Sequence, residues 1–254
     1  MEINSSNSKL IFIAHRGESY EAPENTIASI NLAWNQNADG VEIDVRLTKD
    51  NEIVAIHDIN TKRISGVSKA IKSNSLEELK KLDAGIYKGE KWANEKIPAL
   101  QEILNTVPAN KQVFIEIKCG VEILPKLKEV LASSSVPNSQ IKLIGFDLSV
   151  MSSLKKSMPD YDIYWSKRID RRNIILTRSG WNKIISTVRQ NNFDGLNLSY
   201  SRCLNKSVVE KIKSNGLKLF IWIVNDPKTA YKLLKLGVDG IISDRTGWLR
   251  KKNK

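Results

Sequence analysis

The sequence predicts an α/β fold, a (β/α)8 TIM barrel with a small insertion after the second strand. Eight short apolar, β-branched runs alternate with longer helical patterns, as a closed parallel barrel requires. No GxGxxG follows any of the runs, which argues against an open doubly wound nucleotide-binding sheet. A single long segment, between the second and third runs, breaks the rhythm and reads as the insertion.

The predicted strands are KLIFIAH (9–15), GVEIDV (40–45), VFIEIK (113–118), IKLIGF (141–146), YDIYW (161–165), DGLNLS (194–199), LKLFIWIV (217–224) and DGIIS (239–243). Between them, ENTIASINLAWNQ is expected to open a helix after Pro23, a favoured first-turn residue. VEILPKLKEVLASS has an internal proline, so its helix should kink or start late. LSVMSSLKKS and SGWNKIISTVRQ place apolar residues three and four apart. NKSVVEKIKSNG and DPKTAYKLLKLG each end on a glycine stop signal. The interrupting segment starts with EIVAIHD (52–58), an extra strand, and then runs polar and Gly/Lys-rich to Ile97. PALQEILNTV (98–107) is the delayed helix. The chain therefore reads as one domain over 1–254, with the insertion at about 59–97.

Composition bounds the function. Apolar residues make up 41% of the 254, enough for a sizeable core. The N-terminus lacks a basic region before its short apolar run, and no stretch approaches the ~20 apolar residues of a membrane span. Cys119 and Cys203 have neither metal-knuckle nor redox-pair spacing. A soluble cytoplasmic protein with two reduced thiols is expected. The net charge of +12 favours anionic or phosphorylated partners. No basic-aromatic pattern points to nucleic acid. The lysines are mostly scattered over helical faces, with two denser groups: Lys167, Arg168, Arg171 and Arg172, and the tail Arg250, Lys251, Lys252 and Lys254, expected to be frayed and solvated.

Two histidines, His15 and His57, both end strands, where barrel active sites form. Glu42 and Asp44 lie two apart in GVEIDV, so they share one face while Val41, Ile43 and Val45 share the other. Glu116 and Lys118 repeat the device in FIEIK. Carboxylates on the inner face of a buried strand are costly unless paired or metal-bound. Two arrangements fit the spacing: a salt-bridge network with Arg16 and Lys118, or a hard cation, Mg²⁺ or Ca²⁺, on three oxygen donors. Charge favours the second. Three crowded carboxylates repel, a divalent cation leaves them at about −1, and Arg16 with Lys118 brings the site to about +1. That suits a phosphodiester, which Arg16 can hold bidentately and Lys118 as a point charge. Cleaving such an ester needs a base, an acid and cations, which two histidines and a Lewis acid supply. Zinc or iron held by the histidines is the weaker alternative, given three oxygen donors. Trp222 either fills the barrel or walls an alcohol-binding pocket.

These residues resemble the glycerophosphodiester phosphodiesterase family from first strand to last. The matching segments are AHRGESYEAPENT, DGVEIDVRLTKDNEIVAIHD, SLEELKKLDAG, KIPALQEIL, FIEIK, GFD, WIVND and GVDGIISD. The resemblance implies a TIM barrel that releases glycerol 3-phosphate and an alcohol. It implies Glu42, Asp44 and Glu116 as metal ligands, His15 and His57 as the acid–base pair, Arg16 and Lys118 on the phosphate, and Trp222 as pocket wall. Asn25, in PENT, is expected to organise the loop after His15. The chain departs from the family pattern at Asn51 (often glycine), Ile223 (often threonine), GFD (usually SFD) and the proline-free ISDRTG. A turn with positive φ tolerates Asn51.

The predicted substrate is thus a small soluble phosphodiester. A lysophospholipase D-type or phospholipase C-type enzyme acting on lysophospholipids at a membrane is the alternative. The basic segment after the fifth strand would then face anionic headgroups, although it carries no amphipathic anchor. No stable membrane insertion is expected, and a barrel complete as a monomer leaves the oligomeric state open.

Overall fold

The computed structural model describes residues 10–169 and 178–252. Eight parallel strands close on themselves: β1 (Ile11–His15), β2 (Gly40–Leu47), β4 (Gln112–Ile117), β5 (Ile141–Gly145), β6 (Asp162–Lys167), β7 (Gly195–Ser199), β8 (Lys218–Trp222) and β9 (Gly240–Ser243). Closure comes from β1, which pairs in parallel with both β2 and β9. A ninth strand, β3 (Ile53–Ala55), folds back antiparallel on the upper end of β2, with Val45 opposite Ala55 and Leu47 opposite Ile53. The fold is the expected TIM barrel with one extra strand.

Helices follow the strands. They are α1 (Ile27–Asn35), α4 (Leu100–Leu104), α5 (Leu124–Ser133), α6 (Leu148–Ser157), α7 (Arg178–Gln190), α8 (Lys206–Ser214), α9 (Pro227–Leu236) and α10 (Thr246–Lys252). Pro125 lies in the first turn of α5, so that helix starts late and needs no kink. Gly237 ends α9 at φ 82°, and Gly216 follows α8 at φ 76°, both left-handed as a glycine stop demands.

Three expectations need correction. Helix α1 does not open after Pro23. Its cap is Thr26, whose hydroxyl accepts from the Ser29 N–H at 3.2 Å. The residues before it form an irregular loop with Arg16, Gly17 and Asn25 all at positive φ. The extra strand is shorter than EIVAIHD, and His57 lies two residues beyond its end. The tail is helical to Lys252, and Arg250 pairs with Asp39 and lies 4.9 Å over the Phe12 ring, while Lys251 and Lys252 are exposed as expected. Arg171, Arg172 and Lys254 lie outside the described residues.

Alternation along the strands divides the interior into two parts. Val41, Ile43 and Val45 face the helices, in a continuous buried layer with Leu100, Ile103 and Ile30. Inside the barrel, Ile13, Phe114, Ile144, Tyr164, Phe220 and Ile242 form a separate cluster. Its rings interlock, with Phe220 5.0 Å from Phe114 and 4.8 Å from Tyr164 between centroids. This plug lies one inward position below Glu116 on β4 and fills the barrel beneath the carboxylates.

The insertion has its own small core of Ile56, Ile64, Ile71, Leu79, Ala84 and Ile97 around Val54 of β3. Its short helices are α2 (Lys62–Ser65) and α3 (Leu76–Lys80), the latter with a Ser75–Glu78 capping box. Among the described residues, no helix is long and apolar enough to cross a membrane.

Candidate active site

The inward positions of β2 and β4 bring three carboxylates together. One oxygen from each of Glu42, Asp44 and Glu116 lies within 4.8 Å of the others, and all three side chains are buried. Cations flank them on two sides. Arg16 Nε is 2.9 Å from Asp44 Oδ2, and Lys118 Nζ is 3.1 Å from Asp44 Oδ1 and 2.5 Å from Glu116 Oε1. Both arrangements weighed on the sequence thus share one geometry, but the salt bridges leave it incomplete. Glu42 Oε2 accepts from the Arg16 backbone N–H at 3.1 Å, while its Oε1 has no hydrogen-bond partner among the described residues.

Electrostatics follow the same division. Burial raises the pKa of Asp44, but Arg16 and Lys118 outweigh it and leave the group below its ordinary value. Burial and the neighbouring Asp44 charge push Glu42 up to about 8. Burial, again with Asp44, raises Glu116. A group driven toward protonation by burial and like charge is one that a cation would relieve. The donor set is all carboxylate, one Glu42 oxygen lacks a hydrogen bond among the described residues, and the three oxygens are close enough to share one ion; the residues fit a hard divalent cation.

Each histidine is held at Nδ1 by its own carboxylate. His15 Nδ1 lies 2.6 Å from Asp244 Oδ1, and its Nε2 lies 3.9 Å from Glu42 Oε2. Burial lowers the His15 pKa, but the Asp244 hydrogen bond and the Glu42 charge reverse this and leave it raised. Asp244 also accepts from Ser19 Oγ at 3.2 Å and Asn225 Nδ2 at 2.6 Å. His57 Nδ1 lies 2.7 Å from Asp58 Oδ1. The chain delivers His57 beside the cluster because the Ile56 N–H bonds the Asp44 carbonyl at 2.8 Å, continuing the β2–β3 pairing. With Nδ1 engaged in both rings, Nε2 is the edge of each that makes no hydrogen bond among the described residues.

Asn25 ties the loop after β1 to the cluster. Its amide donates to Asp44 Oδ2 and accepts from the Asp44 N–H, both at 3.1 Å. On the far side, Trp222 donates to the Asn197 carbonyl at 3.2 Å and meets the exposed Phe146 edge-on at 5.7 Å.

All eight residues singled out from the sequence thus lie around the C-terminal mouth. Several of their partners were not singled out: Asp244, Asp58, Glu24 and Arg46, nor was Arg63, which lies behind Asp58 and Glu24. Asp244 had a readable signal, since it directly follows the last strand. Arg46 had none; it donates to the His57 carbonyl at 2.9 Å and the Lys118 carbonyl at 2.7 Å, clamping two site loops.

A parallel barrel with an acidic cluster, two imidazoles and two cations at its mouth defines a barrel enzyme. Residues 15–248 match the glycerophosphoryl diester phosphodiesterase family, and the chain belongs to it. It is 35% identical over 243 residues to a glycerophosphodiester phosphodiesterase of Caldanaerobacter subterraneus subsp. tengcongensis, covering 93% of this chain and 94% of that one. The solved phosphodiesterase of Oleispira antarctica, in complex with the product sn-glycerol-3-phosphate, matches with a TM-score of 0.82 at 29% identity, over 95% of this chain and 96% of that one. A human lysophospholipase D is more distant, 24% identical over 269 residues, 94% of this chain and 84% of that one.

Proposed function

We propose that the chain hydrolyses glycerophosphodiesters to glycerol 3-phosphate and an alcohol, using one divalent cation, Mg²⁺ or Ca²⁺. The observation that carries this reading is the buried Glu42–Asp44–Glu116 set with an unpartnered Glu42 oxygen, in a member of this family. Those three residues would hold the cation, which supplies Lewis-acid stabilisation of the phosphoryl oxygens. Arg16 and Lys118 add fixed positive charge beside the same cluster and draw the phosphodiester into it. His15 and His57 exchange protons through Nε2, one activating the nucleophile and the other protonating the departing alkoxide. Asp244 and Asp58 fix the tautomer that leaves Nε2 free. Trp222, with Phe146, walls the alcohol side of the pocket.

The chain works as one domain on a small-molecule substrate in the cytoplasm, in keeping with the free thiols of Cys119 and Cys203. A second reading, a lysophospholipid substrate, draws support from apolar side chains exposed next to the site, Ile59 at 69% and Ile223 at 39%.

The test is glycerol 3-phosphate release from glycerophosphocholine with EDTA, then with Mg²⁺ or Ca²⁺ restored, on wild type and His15→Ala. Release should need the ion and fall by about 10²-fold or more in the variant. Folded protein that releases nothing with either ion, yet cleaves lysophosphatidylcholine, replaces this reading with the second.

A further inference from the structure

We infer that Arg63, supplied by the insertion, is a positioning residue for both histidine-side loops: it holds His57 through Asp58 and Arg16 through Glu24. The inference deepens the proposed function by giving the insertion a part in it.

A continuous chain of contacts carries the argument. Arg63 Nε is 2.7 Å from Asp58 Oδ2, and the other Asp58 oxygen holds His57 Nδ1 at 2.7 Å. Arg63 Nη1 and Nη2 each lie 2.7 Å from an oxygen of Glu24, a two-pronged contact. Glu24 Oε1 also holds Arg16 Nη1 at 2.7 Å, and Arg16 Nε reaches Asp44. Asp58 and Glu24 come from loops after different strands and carry like charge; His57 holds one and Arg16 the other, and among the described residues Arg63 is the cation that bridges the two. The planar fork of arginine makes all three bonds at once; the single ammonium of lysine cannot. A second link comes from the insertion at the same place, where the Glu24 N–H donates to the Tyr87 hydroxyl at 3.0 Å.

Arg63 is on α2 with 45% of its side chain exposed, so its removal leaves no cavity in either core. It touches neither the three carboxylates nor the free Nε2 edges, and any effect on turnover must pass through Asp58 and Glu24.

The chain has only two histidines, which makes the test direct. Labelling with [15N]histidine yields two imidazoles, with His15 as an internal control because Asp244 holds it. In Arg63→Ala the His57 nitrogens should move toward tautomer averaging while those of His15 stay fixed. With glycerophosphocholine as substrate, kcat should fall by about 10- to 100-fold, the cost of a displaced catalytic group. KM should rise as Arg16 loosens, with the melting temperature nearly unchanged. Arg63→Lys should resemble Arg63→Ala, and added guanidinium should restore part of the activity to Arg63→Ala. Unchanged His57 nitrogens in Arg63→Ala overturn the inference, and so does wild-type kcat in Arg63→Lys. If the wild type itself fails to cleave the substrate, the proposed function falls and the imidazole spectra still decide the role of Arg63.

Discussion

At the scale of single residues, the site depends on backbone conformations that most side chains avoid. Arg16 has φ 57° and Asn25 φ 58°, and Gly17 between them has φ 77°. A Cβ on Gly17 would lie 2.4 Å from Ser29 Oγ and 2.5 Å from the Ser29 carbonyl carbon, so only glycine lets the loop lie this close to α1. Two departures from the family pattern also have local reasons. A Cβ at Gly145 would lie 2.7 Å from Met151 Sδ, which occupies the space a serine would need. In the proline-free ISDRTG, Thr246 donates both its N–H and its hydroxyl to the buried Glu18, at 3.1 and 2.6 Å, and proline has neither donor. Asn25 carries a prediction. Its amide orients Asp44, and replacing such an outer partner typically weakens metal binding by about 10- to 100-fold. Asn25→Gly removes the amide while tolerating the positive φ. Titration calorimetry with Ca²⁺ or Mg²⁺ should register that loss, and an affinity equal to wild type would show that Asn25 serves only the loop.

Elements show which features the sequence made legible. The eight strands were readable because inward and outward positions alternate with period two, and GVEIDV displays apolar and acidic faces side by side. The start of α1 was not, because Pro23 is a local signal while the true cap at Thr26 depends on a loop folded over the site. Asp244 follows the last strand, a readable position, but its pairing with His15, 229 residues away, was not readable, because no local pattern reports a contact made by barrel closure. The insertion was readable as an interruption, but the bonds that order it were not. Asp83 accepts N–H bonds from Gly85, Ile86 and Asn94 at 2.8, 3.0 and 2.8 Å. Those bonds, the one from Asn94 foremost, hold its pKa below the ordinary 3.8. The stabilisation is therefore present above that value and fades as the pH falls through the lower, folded one. Asp83→Ala should reproduce the loss at neutral pH, exposing Lys91 and Lys96 to trypsin about 10-fold faster or more while the barrel stays intact. Cleavage at the wild-type rate would mean that the apolar cluster around Val54 orders the segment alone.

The whole molecule closes around the site, and closure decides what a cation does to stability. Residues near the two chain ends meet beside His15: the Tyr20 N–H donates to the Asp244 carbonyl at 2.9 Å. Arg245 sits between the Tyr20 and Trp248 rings at 4.3 and 3.9 Å. The carboxylates held inside cannot spread apart as pH rises, and this gives the metal-free barrel an uncommon pH dependence. Burial, together with Asp44, raises Glu42 from 4.5 to about 8, so between those values the folded state keeps a proton that the unfolded state has lost. Stability contributed by that proton is fully present below about pH 4.5 and is lost as the pH climbs through 8. A divalent cation held as proposed would replace the proton as the neutralising charge, and its binding would stabilise the folded state in proportion to RT ln(1 + [L]/Kd). Since the ion must displace the proton, it binds more tightly as the pH rises. The rise in melting temperature on adding Ca²⁺ or Mg²⁺ to EDTA-treated protein should thus be larger at pH 8.5 than at pH 6, and Glu42→Gln should flatten the difference. A rise of equal size at both values would place the ion away from Glu42, and the acidic cluster would then be a salt-bridge network after all.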